Sequence, residues 1–212
     1  MLISYRRRFI FVHVPKVAGW SMREALCRYA VRGQRRTLSR QILSRLGWQS
    51  SEENPGQRYL ESLSLTHHST AITIRDAVPA EFERFFTFAF VRNPWDWHVS
   101  YYHYVRDLPT YATFAAAGCF ERYIEEIAPQ HALCQKSFVV DIEGRCIVDF
   151  VGRFETLHRD YAQVCDRLGI PARLNRINES SHRPYRDYYD ARRRRIIQDL
   201  HREDCEYFSY SY

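Results

Sequence analysis

The chain has 212 residues, 45% hydrophobic and 26% charged, which is enough for one well-buried domain over 1–212 and too little for two. That composition excludes a disordered chain, and no apolar run approaches the ~18–20 residues of a bilayer span, so no membrane anchor is expected. A net charge of +6 favours an anionic partner, but the charge is spread along the chain, which argues against a dedicated nucleic-acid stripe.

In chain order, residues 9–14 (Phe9-Ile10-Phe11-Val12-His13-Val14) read as a first strand. Pro15-Lys16-Val17-Ala18-Gly19 then forms a tight turn into a helix from Trp20 to about residue 30, with Met22 and Leu26 on one face. Residues 47–58 are a loop, and 60–65 read as a short strand leading to His67-His68-Ser69. Ser69 or Thr70 can cap the next helix, and Pro79 can open another. The continuous apolar run 85–91 has the pattern of a strand buried on both faces of a parallel sheet.

Asn93 offers an N-cap and Pro94 a first-turn residue for a helix over 95–106. Residues 121–127 are helical, and 138–140 with 146–151 flank Glu143-Gly144 as a hairpin. A helix over 157–168 is closed by Gly169 and Pro171, 175–189 is loop-like, and Asp190 caps a last helix with Ile196, Ile197 and Leu200 on one face. Strands alternating with helices predict an α/β sheet with crossovers, whose ligands sit beyond the carboxyl ends of the strands.

Lysine is almost absent: arginine takes nearly every basic position, leaving only Lys16 and Lys136. Lys16 lies on the first strand-to-helix turn, where a compact ammonium and free helix N–H groups suit an anion. Ser21 adds a hydroxyl; the alternative is a plain turn with a solvated lysine. The G-x-x-x-x-G-K-[ST] pattern of nucleoside triphosphate loops is missing. A second constellation is Arg92 at a strand end with Ser100 two helical turns on, able to hold a phosphate together, unless Arg92 pairs with Asp96. His67 and His68 are candidate proton acceptors, since imidazole titrates near neutrality, against the ordinary reading of a solvent-facing pair. Glu155 reads as a strand-end carboxylate pairing Arg153 or another arginine. Residues 192–195 read as a solvated basic helix face balanced by Asp199, Glu203 and Asp204. The six cysteines lack C-x-x-C spacing and read as reduced thiols, and no ligand cluster for a metal is seen.

Taken together, residues 11–21 (Phe-Val-His-Val-Pro-Lys-Val-Ala-Gly-Trp-Ser) resemble the 5′-phosphosulfate loop of sulfotransferases. Residues 88–96 with Ser100-Tyr101-Tyr102 resemble their 3′-phosphate motif. Further similarities, in order, are 68–71, 148–155 and 178–189, and the carbohydrate-type branch with its small bacterial homologues is the most similar. The resemblance implies a P-loop-like three-layer sandwich with a central, mainly parallel sheet flanked by helices. It implies transfer of a sulfuryl group from 3′-phosphoadenosine 5′-phosphosulfate (PAPS) to a hydroxyl, of carbohydrate type, releasing 3′-phosphoadenosine 5′-phosphate (PAP) without a metal. Lys16 would meet the leaving-group charge, and the backbone of Val17, Ala18, Gly19, Trp20 and Ser21 would hold the 5′ phosphate. Arg92 and Ser100, with Ser180 or Arg183, would hold the 3′ phosphate, and His68, or else His67, would be the base. Two positions depart from the family: Trp20 replaces a small hydroxyl residue, and Trp97 stands where an arginine or similar polar residue is frequent. A basic glycan- or nucleic-acid-binding module and a small-molecule kinase are the competing readings. A soluble bacterial cytoplasmic enzyme is the expectation for location.

Overall fold

The computed structural model describes residues 1–30, 60–106, 118–174 and 182–212. Strands β1 (Leu2–Ser4), β2 (Phe9–Val12), β3 (Phe86–Val91) and β4 (Phe150–Arg153) lie side by side in chain order. β2, β3 and β4 run parallel, and β1 joins the β2 edge antiparallel. This is the expected mainly parallel sheet, flanked by helices, with an antiparallel edge strand that the sequence pattern did not announce. The aromatic pattern of β2 and β3 explains the pairing. Phe9, Phe11, Phe88 and Phe90 are fully buried, and Phe11 stacks on Phe88 with ring centroids 5.2 Å apart. Each such side chain contributes roughly 1.5–3 kcal/mol on burial.

The β3–β4 register has its own lock. Asp149, just before β4, accepts hydrogen bonds from the Thr87 backbone N–H (2.7 Å) and hydroxyl (2.9 Å), while its own N–H donates to the Thr87 carbonyl (3.0 Å). One residue of slip would break all three bonds and turn Phe90 out of the core.

The helices are α1 (Gly19–Cys27), α2 (Ala71–Ala77), α3 (Pro79–Arg84), α4 (Pro94–Val105), α5 (Leu157–Leu168), α6 (Ala191–Leu200) and α7 (Arg202–Phe208). The predicted punctuation holds. Thr70 caps α2, Pro79 opens α3, the Asn93 side chain accepts from the Trp95 N–H at 3.0 Å, and Asp190 accepts from the Arg193 N–H at 2.8 Å. Gly169 closes α5 in the left-handed conformation at φ 61°.

Three expectations change. Residues 60–62 are helical rather than extended, and the Leu65 N–H closes back on the Leu60 carbonyl at 2.7 Å through Ser64 at φ 56°. The leucines at 60, 63 and 65 instead lie across a helix end. The predicted hairpin survives only as a single bridge between Val140 and Cys146, because Asp141 turns the chain by accepting the Glu143 and Arg145 N–H groups. Residues 121–127 are helical as expected, but Tyr123–Ile127 widens into a π turn. The helix predicted after Asp190 is present as α6, and a further helix, α7, follows it after His201. The loop predicted at 47–58 lies outside the described residues, as does 175–181 of the loop-like stretch.

On β4, a Cβ at Gly152 would overlap the Phe90 ring, which is itself fully buried. Gly152→Ala is therefore expected to destabilise the protein by about 1–3 kcal/mol, lowering the urea midpoint at unchanged slope. A wild-type midpoint would show that the ring has room to move.

Candidate active site

The site lies beyond the carboxyl ends of β2 and β3. β2 exits through His13, Val14 and Pro15 into Lys16, which takes a left-handed φ of 64°; Ala18 does the same at 59°. For residues other than glycine this costs roughly 1–2 kcal/mol each. The loop thus holds a strained shape that delivers the chain to α1 with Ala18 as an N-cap lacking any side-chain cap. The first-turn N–H groups and the positive end of the helix face the loop. Gly19 is required by contact: a Cβ there would overlap the buried His13 ring. Val17 and Ser21 are buried, and Trp20 is half exposed near Arg23.

Arg92 ends β3 directly across from this loop. Its Nη1 donates to the Lys16 carbonyl at 3.2 Å, its Nε to Asp96 at 2.8 Å, and its guanidinium lies 3.8 Å from the centroid of the Phe154 ring. The Asp96 pair weighed in the sequence is therefore present, but it engages one edge of the fork only. Nη2 makes no hydrogen bond among the described residues. The Lys16 ammonium rests over the Tyr104 ring at 4.0 Å. Burial, and then the Arg92 charge, push its pKa down from 10.5 to about 8. Ser100 is buried on α4, the helix that also carries Asp96 and Tyr104.

Trp97 turns out to belong to the loop's support. It is 2% exposed, its indole N–H donates to the Pro15 carbonyl at 2.9 Å, and its ring stacks on Tyr101 at 4.9 Å. Glu155 pairs with neither Arg153 nor any other arginine among the described residues: it accepts the Asn93 N–H at 2.6 Å and the Tyr210 hydroxyl at 3.1 Å. It thereby orders the start of α4.

The two histidines differ in which nitrogen is free. His68 Nδ1 lies 3.0 Å from the His13 carbonyl, and a carbonyl only accepts, so Nδ1 carries the proton and Nε2 keeps its lone pair. Its ring packs on that of His13 at 4.6 Å, and burial holds its pKa below 6.5 although the His13 bond opposes this. His67 presents the opposite nitrogen: Arg23 donates to its Nδ1 at 3.2 Å, and burial and then Arg23 push its pKa down to about 4. Its basic nitrogen is occupied.

Lys16 through Ser21 and Arg92 are thus brought together, with Ser100 on the adjoining helix and His68 bonded to the strand exit that leads into the loop. Arg183 is exposed and stacks on Tyr188 at 5.1 Å, with no contact to Arg92, and Ser180 lies outside the described residues. The basic run 192–195 is balanced differently from the expectation. Arg193 pairs with Glu125 (3.1 Å) and Asp190 (2.6 Å), and Asp204, expected on the surface, is 1% exposed. No described helix is long and apolar enough to cross a membrane.

Residues 1–211 match the family model described as "Sulfotransferase family". An uncharacterized protein of Archaeoglobus fulgidus is 30% identical over 107 residues, covering 50% of this chain and 86% of that protein. No solved structure matches the chain.

The depressed Lys16 pKa belongs to a cation, so its cost to stability is complete below pH 8 and fades as the pH rises from about 8 towards 10.5. Lys16→Met is expected to stabilise the protein at pH 7, by on the order of 1–3 kcal/mol, with the gain shrinking towards pH 10. Denaturant unfolding across that range measures it, and a destabilised variant at pH 7 would contradict the assignment.

Proposed function

The chain belongs to the sulfotransferase family, and we propose that it moves a sulfuryl group from PAPS to a hydroxyl of a carbohydrate-type acceptor. The observation that carries this reading is the pair of cations on neighbouring parallel strands, Lys16 on its strained loop and Arg92 bonded to the Lys16 carbonyl. Two positive groups set side by side suit a ligand with two separate phosphates. The uncapped start of α1 suits the 5′ phosphate, as in P-loop-like folds, and the free Nη2 edge of Arg92, with Ser100, suits the 3′ phosphate.

In the transfer, the S–O bond to the 5′ phosphate breaks as a new S–O bond forms to the acceptor oxygen. The acceptor's proton passes to His68 Nε2, whose lone pair is left free by the Nδ1 bond to His13. Lys16 offers its charge to the bridging oxygen, where negative charge gathers. Its ammonium has no carboxylate partner among the described residues, only the Tyr104 face, so it can swing to the leaving group. His67 is a poorer base because Arg23 already uses its lone pair. It supports the segment from below, its carbonyl accepting from the Met1 amino group.

PAP is expected to raise the melting temperature by mass action, and ATP to do so far less. No shift at saturating PAP would defeat the reading. Lys16→Ala is expected to lower turnover by about 10²–10³-fold in a folded protein.

The pH profile of kcat/KM is expected to be bell-shaped. Its acid limb falls below 6.5, where His68 gains a proton, and its alkaline limb lies near pH 8, where free Lys16 loses one. The acid limb should vanish in the residual activity of His68→Ala and persist in His67→Ala. The reverse pattern would exchange the two roles.

A further inference from the structure

Beneath the site runs a chain of buried polar groups that the transfer itself does not use. Gln135 brackets Arg92: its side-chain oxygen accepts the Arg92 N–H at 2.9 Å and its amide nitrogen donates to the Arg92 carbonyl at 2.7 Å. Gln135 is in turn tied to Asp204, whose Oδ2 accepts the Gln135 N–H at 3.0 Å and whose Oδ1 accepts the Lys136 N–H at 2.8 Å. His201 Nδ1 reaches Asp204 Oδ2 at 3.1 Å, His201 Nε2 meets His98 Nε2 at 2.8 Å, and His98 Nδ1 meets the Tyr123 hydroxyl at 2.7 Å. Gln135, Asp204, His201, His98 and Tyr123 are each no more than 3% exposed.

The protons in this chain have one consistent order. Every neighbour of Asp204 is a donor, including the Cys134 thiol at 3.6 Å, so the carboxylate accepts throughout. His201 therefore carries its proton on Nδ1 and accepts at Nε2. His98 must then donate from Nε2 and accept at Nδ1 from the Tyr123 hydroxyl. Burial, followed by the neighbouring His201, holds the His98 pKa well below 6.5, and the order given is that of two neutral imidazoles.

The chain touches the site at two places. Gln135 fixes the backbone of Arg92, and the His98 and His201 rings pack on Trp97, at 5.0 and 6.4 Å, whose indole holds the Pro15 carbonyl before Lys16.

We propose that Asp204, His201 and His98 are positioning residues. Acting through Gln135 and Trp97, they set the Arg92 arm against the Lys16 loop, and so fix the spacing at which two phosphates are held. This rests on the reading of Arg92 as the holder of the 3′ phosphate. Asp204→Asn sharpens the test, because an amide nitrogen cannot accept. On the Oδ1 side it faces the Lys136 N–H, and on the Oδ2 side the Gln135 N–H. In the latter position it can still donate to His201, but only if His201 moves its proton to Nε2 and His98 moves its own to Nδ1.

The experiment uses the full chain and two readouts. Nitrogen NMR of the imidazoles should find His201 protonated on Nδ1 and His98 on Nε2 in the wild type, and in Asp204→Asn either the same order, with the amide nitrogen on the Oδ1 side, or both reversed, with it on the Oδ2 side. Calorimetric titration should find that the preference for PAP over adenosine 5′-phosphate falls by about 10–100-fold in Asp204→Asn and in Gln135→Met, the usual scale for loss of an orienting partner. Affinity for adenosine 5′-phosphate should change much less.

A wild-type His201 protonated on Nε2 would overturn the proposal without any variant. So would an unchanged preference in both variants when Arg92→Gln abolishes it. If Arg92→Gln itself leaves the preference intact, the 3′-phosphate reading fails first, and the positioning role falls with it.

Discussion

Two cations held against each other at the end of a sheet repel, and much of the structure around β2 and β3 answers that repulsion. Burial first, and then the Arg92 charge, lower the Lys16 pKa, so the proximity adds to the cost of desolvation. The guanidinium is kept in place by Asp96 on one edge, the Lys16 carbonyl on another and the Phe154 face beneath. Its backbone is bracketed by Gln135. The Lys16 loop lies in a conformation that neither Lys16 nor Ala18 favours, held through Pro15 by the Trp97 indole. Strain and like-charge crowding persist only where the surroundings over-determine them. A ligand bringing two negative groups would relieve the crowding and offset part of its cost to the fold.

The two arms are built differently, and the difference has a chemical sense. The Arg92 arm is rigid, with side chain and main chain both bonded to buried partners. On the Lys16 arm the backbone is held but the ammonium rests only on an exposed aromatic face. A group that binds a spectator phosphate gains from being fixed. A group that must follow charge from ground state to transition state gains from reach, which suits lysine better than a planar fork. In a chain that uses arginine almost everywhere else, that distinction gives a physical reason for lysine at position 16.

Local signals made much of the fold legible. Caps at Thr70, Asn93 and Asp190, proline at 79, glycine at 169 and the apolar runs of β2 and β3 each act over a few residues. What was not legible depended on partners far along the chain. Residues 60–65 read as a short strand, yet the Leu65 N–H folds back on Leu60 at a helix end. Trp97 read as a departure from a family pattern, because nothing near it in sequence announces a bond to Pro15. Glu155 read as a strand-end carboxylate pairing an arginine and Asp204 as part of a solvated helix face; one accepts a backbone N–H 62 residues away and the other joins a chain of groups from four separate segments. A carboxylate's sequence neighbours do not reveal whether its acceptor capacity is filled by water or by buried donors.

The choice between His67 and His68 shows the same limit from the other side. As adjacent residues of one type they are equivalent in composition, and only the third dimension separates them. Arg23, a pure donor, takes the lone pair of one, and the His13 carbonyl, a pure acceptor, takes the proton of the other. The same rule orders the buried chain under Arg92, where one carboxylate surrounded by donors fixes the tautomer of two histidines in succession. In both places a partner with only one hydrogen-bonding sense decides which nitrogen is basic. An imidazole is left basic or not according to what its other nitrogen touches, and in this protein both kinds of partner lie near the same pair of strand ends.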